Sequence, residues 1–412
     1  MNPTLIEKQE IRTVKQFYNL MAMTRDIRCK MVKDLFNDQP VDQDCLASLK
    51  NALLSLEDIP SEDGLKILHI DDTKKISARL LYEISELEKD IFFLQNNEKK
   101  FIDYLENLHQ GFVEQVNQGI DKLKHLQFNC FITDRDGTIN NYCGRYISSV
   151  QSVYNSVFLT RFAREKTSNP IIITSAPLKN PGLVDVSINP DKTLIYAASK
   201  GREYIGLDGK RKTYPIEENK QQLLDKLNKI LSDLVKKPSF EMFSMIGSGL
   251  QFKFGQTTIA RQDIRKSIPE SESNEFLEKI NHMVKEIDPG GENFKIEDTG
   301  LDIEIILTIE DSDEDSGSEA KDFNKADAVN FLNDALNLNM KKGPHLVCGD
   351  TSSDTPLIEA TMEKSPDTWA VFVTENSELS AKVKAMCPNS LIVTQPDILV
   401  TILGFLALGK RI

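Results

Sequence analysis

A chain of 412 residues, 40% hydrophobic and 27% charged, is long enough to bury a large core and is expected to form two or three domains. Its net charge of -13 and pI near 5.1 argue against a nucleic-acid-binding surface, but not against a phosphorylated substrate met by locally gathered positive charge. Cys29, Cys45, Cys130, Cys143, Cys348 and Cys387 lack paired metal-ligand spacing, so reduced, buried thiols of a cytoplasmic protein are expected. The start has no apolar signal core and is charged by Glu7, which speaks against export. No membrane helix is expected either: the apolar stretch from Ile398 to Leu408 is about half of the ~20 residues a span needs, and it reads as a buried helix.

Residues 1–126 are expected to form an all-α domain. Ile11, Val14, Tyr18, Met21, Met31 and Leu35 trace one helical stripe ending before Pro40, and Cys45 to Leu56 a shorter one stopped at Pro60. Ile76, Leu80, Ile84, Leu87, Ile91 and Leu94, then Ile102, Leu105, Leu108, Phe112 and Val116, step by three and four along a long helix or helical hairpin. The pattern reads as a bundle or antiparallel coiled coil of three or four helices packed on one another. It also offers a face to a protein partner or to a second copy of the chain, and its register does not separate these.

From Phe128 the texture changes to short runs that are apolar on both faces: Phe128 to Thr133, Pro170 to Thr174, His345 to Gly349, Trp369 to Thr374 and Ser390 to Thr394. Such strands alternating with helices predict a parallel sheet covered on both sides, with ligands at the strands' carboxyl ends. Residues 127–178 and 322–412 are assigned to this core. The intervening 179–321 is too long for a loop and is expected to form an α+β cap. The cap should hold strands at Thr193 to Ala197, Phe243 to Ile246, Leu250 to Phe254 and Ile303 to Ile309, and helices at Glu217 to Val235 and Glu275 to Glu286. Within it, Glu310 to Glu319 carries six acidic residues but not the glycine and glutamate spacing of a calcium loop, and reads as a solvated loop.

Four motifs fall at predicted strand ends. Asp134-Arg135-Asp136-Gly137-Thr138 follows the first core strand, and two carboxylates at i and i+2 can share a divalent metal and divide nucleophile and proton-transfer roles. Thr174 and Ser175 end the second strand with hydroxyls able to hold a phosphate oxygen. Lys325 opens a helix after the acidic loop, and Gly349-Asp350 leads to Asp354. Singly, each has a plain alternative: Thr174 or Asp350 as a helix cap, Lys325 as a surface lysine.

As an ordered set the motifs resemble the haloacid dehalogenase superfamily of phosphotransferases across residues 128–412. The resemblance implies a Rossmannoid parallel sheet and an aspartyl-phosphate route. Asp134 would be the nucleophile and Asp136 the acid and base. Asp134, the Asp136 carbonyl and Asp350 would hold Mg2+, and Lys325 and Thr174 would steady the phosphoryl oxygens, with Thr138, Ser175 and Asp354 supporting. Within that superfamily the cap's position and the N-terminal helices resemble trehalose-6-phosphate phosphatases of the nematode and bacterial type. That likeness implies a sugar phosphate substrate contacted by Arg202, Glu203, Lys253 and Glu304, residue types suited to vicinal diols. The rivals are a capped phosphatase acting on sucrose phosphate or a mannosyl glycerate phosphate, and an interaction protein with an inactive phosphatase fold. Arg135 departs from the superfamily pattern, which more often has an apolar or aromatic residue there. It either adds positive charge near the phosphate or points to solvent.

Overall fold

A computed structural model of the chain describes residues 3–72, 74–308 and 323–412; the acidic loop 310–319 and the first two residues lie outside these. Helix α1 (Val14–Phe36) starts at a capping box in which Thr13 and Gln16 satisfy each other's backbone N–H groups. Helix α2 (Gln43–Glu57) starts at Asp42, whose carboxylate accepts from the backbone of Asp44 and Cys45. A small antiparallel sheet follows, β1 (Ser61–Glu62), β2 (Leu65–His69) and β3 (Lys75–Ala78), so the N-terminal region is not all-α. Ile76 therefore lies on a strand, and the expected long helix is three: α3 (Leu81–Gln95), α4 (Glu98–Leu108) and α5 (Phe112–Leu123).

The stripe reading found only part of the buried face of α3, at Leu87 and Leu94. Ile84 and Ile91 are only half-buried, whereas Tyr82, Glu83, Glu86, Lys89 and Asp90 are buried. Charges can occupy that face because they are paired: Arg28 Nε of α1 lies 2.5 Å from Asp90, and within α3 Lys89 Nζ lies 2.5 Å from Glu86.

The core elements run in chain order β4 (Phe128–Thr133), α6 (Val153–Glu165), β5 (Thr167–Ile173), α7 (Leu183–Val186), β6 (Ile195–Ala198), β7 (Glu203–Ile205) and β8 (Arg211–Thr213). The inserted unit holds α8 (Glu218–Leu234), β9 (Leu250–Lys253), β10 (Gln256–Ala260), α9 (Glu270–Ile287), β11 (Phe294–Asp298) and β12 (Asp302–Leu307). The chain then returns through α10 (Lys325–Leu336), β13 (His345–Gly349), α11 (Thr355–Lys364), β14 (Thr368–Val373), α12 (Ser377–Met386), β15 (Ser390–Val393) and α13 (Pro396–Leu408).

Among the described residues the main sheet has the order β15-β14-β13-β4-β5-β6-β7-β8. Pairing is parallel from β15 to β6 and antiparallel through β7 and β8. The chain winds outward from β4 to β8, then crosses back to β13 on the other side of β4, so the switch point lies between the carboxyl ends of β4 and β13. The α/β class with a parallel core, an inserted α+β unit and N-terminal helices is the expected one. The cap, however, does not take in everything after residue 179. Strands β6 to β8 extend the main sheet, because the Ile195–Ala198 run pairs in register with Ile171–Ile173. The expected strand at 243–246 is instead a short 3-10 turn, Glu241–Ser244.

In the cap sheet, β11-β12-β10-β9, Ile259, Ile303 and Ile305 are buried together with Leu224, Leu227 and Leu231 of α8 and Phe276 and Ile280 of α9. Alternation along the strands turns Thr258, Asp302 and Glu304 to the other face. On the far side of the core, α13 lies between α5 and α6. A Cβ on Gly119 would fall 2.4 Å from Ile402 and one on Gly404 2.6 Å from Phe158, so small residues set both close approaches. The N-terminal stripes are thereby covered within the chain: Leu87, Leu94, Ile102, Leu105, Phe112 and Val116 belong to one cluster with α6 and α13. No helix among the described residues is long and apolar enough to cross a membrane, and all six cysteines are unbridged.

Candidate active site

The apolar strand β4 ends at Thr133 and delivers Asp134 to the switch point. Gly137 then turns the chain at φ 88°, where an added Cβ would lie 2.2 Å from Asp350 Oδ2, so only glycine lets the two acidic turns approach. The Thr138 hydroxyl donates to Asp350 Oδ1 at 2.9 Å. Lys325 enters from the first turn of α10, whose start is fixed by a capping box between Asn324 and Asp327. Its ammonium donates to Asp134 Oδ1 at 2.6 Å and to Asp354 Oδ1 at 2.5 Å. The other Asp354 oxygen accepts from the backbone N–H groups of Asp350 (3.1 Å) and Thr351 (3.0 Å), so Asp354 holds Lys325 and the β13 turn together.

Carboxylate oxygens of Asp134, Asp350 and Asp354 lie within 4.8 Å of one another. Burial, joined by the neighbouring carboxylates and only partly offset by Lys325, pushes Asp134 up to about 8. Burial and Asp354 likewise push Asp350 up to about 7, against the Thr138 hydrogen bond. Asp354 is pulled down in spite of its burial, because Lys325 and two backbone N–H groups favour its charged form. Lys325 is held protonated against burial by Asp134 and Asp354. Three carboxylates around one ammonium leave two formal negative charges. Both Asp354 oxygens are engaged, so Asp134 and Asp350 are the residues suited to a hard divalent cation such as magnesium. The donor set, all oxygen and two charges short, fits that ion.

These groups floor a cavity of about 320 Å³ that is also lined by Asp136, Thr174 and Ser175. Thr174 Oγ1 accepts from Ala176 N at 3.2 Å, which leaves its proton available to an anion in the cavity. The cap supplies the opposite wall with Ser248, Gln251, Lys253, Thr258, Asp302 and Glu304. Register explains the grouping, since Thr258 stands opposite both Gln251 and Glu304. Burial holds Lys253 below the usual ammonium range, with Glu304 and Asp302 opposing it.

Lys253 and Glu304 thus stand in one cavity with the core acids, but Arg202 and Glu203 do not line it. Arg202 donates to the Gly255 carbonyl at 2.7 Å and packs over the Phe323 ring, tying core to cap. Glu203 accepts from Ser199 Oγ (2.9 Å) and both donors of Arg211. Both stand at the start of β7, which doubles back antiparallel on β6, and Glu203 faces a second cavity that Lys253 also lines. Arg135 does not point to solvent. It is buried, its Nη1 pairs with Asp136 Oδ1, its Nη2 donates to Ser149 O at 2.5 Å, and it lies over the Tyr146 ring. Tyr142, Tyr146, Ser248, Gln251, Thr258 and Asp302 line the cavity without having been singled out from the sequence. For the cap residues the signal was the i, i+2 pairs Gln251/Lys253 and Asp302/Glu304, which put polar groups on one face of a strand.

Residues 131–399 match the family model described as trehalose-6-phosphate phosphatase, C-terminal. Residues 13–118 match the one described as the trehalose-6-phosphate phosphatase N-terminal helical bundle domain. UDP-forming alpha,alpha-trehalose-phosphate synthase 2 of Aphelenchoides avenae is 31% identical over 96% of this chain and 32% of its own length. The trehalose-phosphatase of Brugia malayi is 27% identical over 96% of this chain and 86% of its own. The chain thus spans about a third of the synthase-named relatives and most of that phosphatase. The solved C-terminal domain of a C. albicans trehalose-6-phosphate phosphatase superposes with a TM-score of 0.45 at 16% identity, covering 71% of this chain and 96% of that one.

Proposed function

The chain belongs to the trehalose-6-phosphate phosphatase family, and from that membership we propose that it hydrolyses trehalose 6-phosphate to trehalose and inorganic phosphate with magnesium. One observation carries the reading: Asp134, Lys325 and Asp350 share a cavity with a polar cap wall that includes Lys253 and Glu304. The core half suits a phosphoryl group and the cap half a polyol.

Asp134 attacks phosphorus, forming an aspartyl phosphate as the bond to the sugar oxygen breaks, and Asp136 gives that oxygen its proton. Asp136 then takes a proton from water, which attacks the same phosphorus and releases Asp134. Lys325 and Thr174 hold phosphoryl oxygens throughout. Asp134 and Asp350 with the Asp136 carbonyl would hold magnesium, which would supply charge neutralisation between the nucleophile and the phosphate dianion. Arg135 pairs with the Asp136 carboxylate and so restrains it at the cavity edge. Glu304 and Lys253 take sugar hydroxyls, and cap closure excludes water from the first step.

The test is phosphate release from a panel of sugar phosphates with magnesium. Turnover of trehalose 6-phosphate well above the others is expected. Release from sucrose, mannose or glucose phosphates with none from trehalose 6-phosphate would remove the substrate assignment.

A further inference from the structure

The loop from Ile139 to Val150 follows the acidic turn and walls the cavity with Tyr142, Cys143, Gly144 and Tyr146. Its other side is gripped by the first turns of α3. Tyr82 Oη donates to Val150 O at 2.9 Å and accepts from Asn140 Nδ2 at 2.9 Å. Glu83, fully buried, accepts from Ser148 Oγ at 2.6 Å, Arg145 Nη2 at 3.1 Å and Cys143 Sγ at 3.6 Å. Glu86 accepts from Asn141 Nδ2 at 2.9 Å. Asn141, Cys143 and Arg145 give polar atoms to α3, while Tyr142, Cys143, Gly144 and Tyr146 line the cavity, so the same short loop meets both.

We infer that Glu83 is a positioning residue for substrate selection: α3 is the template on which the cavity wall is laid, so the N-terminal helices set the fit of the sugar and the main sheet sets the phosphoryl chemistry. The inference rests on the phosphatase reading above. Three donors from one loop converge on a single carboxylate in a dry setting, where an unmade hydrogen bond is costly, so the loop has one low-energy path. Moving Glu83 releases Arg145, Cys143 and Ser148 together, and with them the wall. The phosphoryl-handling groups stand at the ends of β4, β5 and β13 and on α10, and none of them hydrogen-bonds Glu83.

The experiment compares full-length wild type, Glu83→Gln and Arg145→Met on two esters, trehalose 6-phosphate and p-nitrophenyl phosphate, whose flat leaving group makes little use of a shaped wall. Both variants should raise KM for trehalose 6-phosphate about tenfold with kcat nearly kept, and hold kcat/KM for p-nitrophenyl phosphate within about twofold. Glu83→Asp should recover part of the lost affinity. Because Arg145 is partly exposed, its variant keeps the test alive if Glu83→Gln fails to fold. An unchanged KM in a folded variant, or an equal loss of kcat on both esters, overturns the inference. A wild type inactive on trehalose 6-phosphate overturns the substrate reading instead, and the comparison is then repeated with the sugar phosphate it does turn over.

Discussion

Two buried ionic clusters of this chain use the same materials and differ in how completely they are satisfied. At the seam of α3, α6 and α13, Asp397 meets Lys89 at 3.1 Å, His109 at 2.7 Å, Asn141 at 3.0 Å and the Tyr154 hydroxyl, while Glu86 takes Lys89 and Asn141. Burial alone would raise Asp397, yet Lys89, His109 and Tyr154 hold it well below the usual carboxylate range. At the ends of β4 and β13 three carboxylates share Lys325, and Asp134 and Asp350 are pushed up to about 8 and about 7. The first cluster is complete and glues the N-terminal helices to the core. The second is short of positive charge, and that shortfall separates a site from a joint.

The comparison is broken most directly by removing Asp134. Asp134→Asn should lower phosphate release by about 10⁴-fold or more with circular dichroism and melting retained; surviving turnover would remove it as the nucleophile. Lys325→Met should cost roughly 10²–10³-fold in kcat, since it strips the ammonium that pairs with Asp134 and Asp354. The same change in the complete cluster should act on stability. Lys89→Met is expected to cost about 3–5 kcal/mol in denaturant unfolding, because two buried carboxylates lose their cation, while turnover per folded molecule stays near wild type.

The smallest effect concerns pH. A carboxylate whose folded value rises from 3.8 to about 7, as for Asp350, binds more protons folded than unfolded across that window, so its cost to stability grows as pH rises through it. Without divalent cations, Asp350→Asn should therefore be more stable than wild type by roughly 1–2 kcal/mol at pH 8 and lose that lead near pH 4. Added magnesium should erase the lead at pH 8, and its affinity for wild type should climb with pH as the carboxyls release protons. Parallel unfolding curves at both pH values would contradict this.

Much of the site could be read before any coordinates. Asp134, Asp350 and Thr174 sit where apolar strands stop, and strand ends on one side of a parallel sheet meet. Arg202 and Glu203 could not be placed the same way. Their distance from a strand end was clear, but the antiparallel return of β7 depends on pairing with a strand nearby only in space. The α3 face was hidden for a different reason. Apolar periodicity identifies the buried side of a helix only when apolar residues fill it, and Glu83, Glu86, Lys89 and Asp90 are buried through partners 55 to 308 residues away.

Helix α13 carries one more consequence. It fills the groove between α5 and α6, and its contact at Gly119 joins residues 119 and 402, about 280 positions apart. During synthesis the N-terminal helices therefore emerge long before the segment that covers them. Their apolar faces stay open while the sheet, the cap and the catalytic loops are being made. Closure of the groove is then a late step, and a ribosome stalled before Pro396 holds a chain whose stickiest surface is exposed.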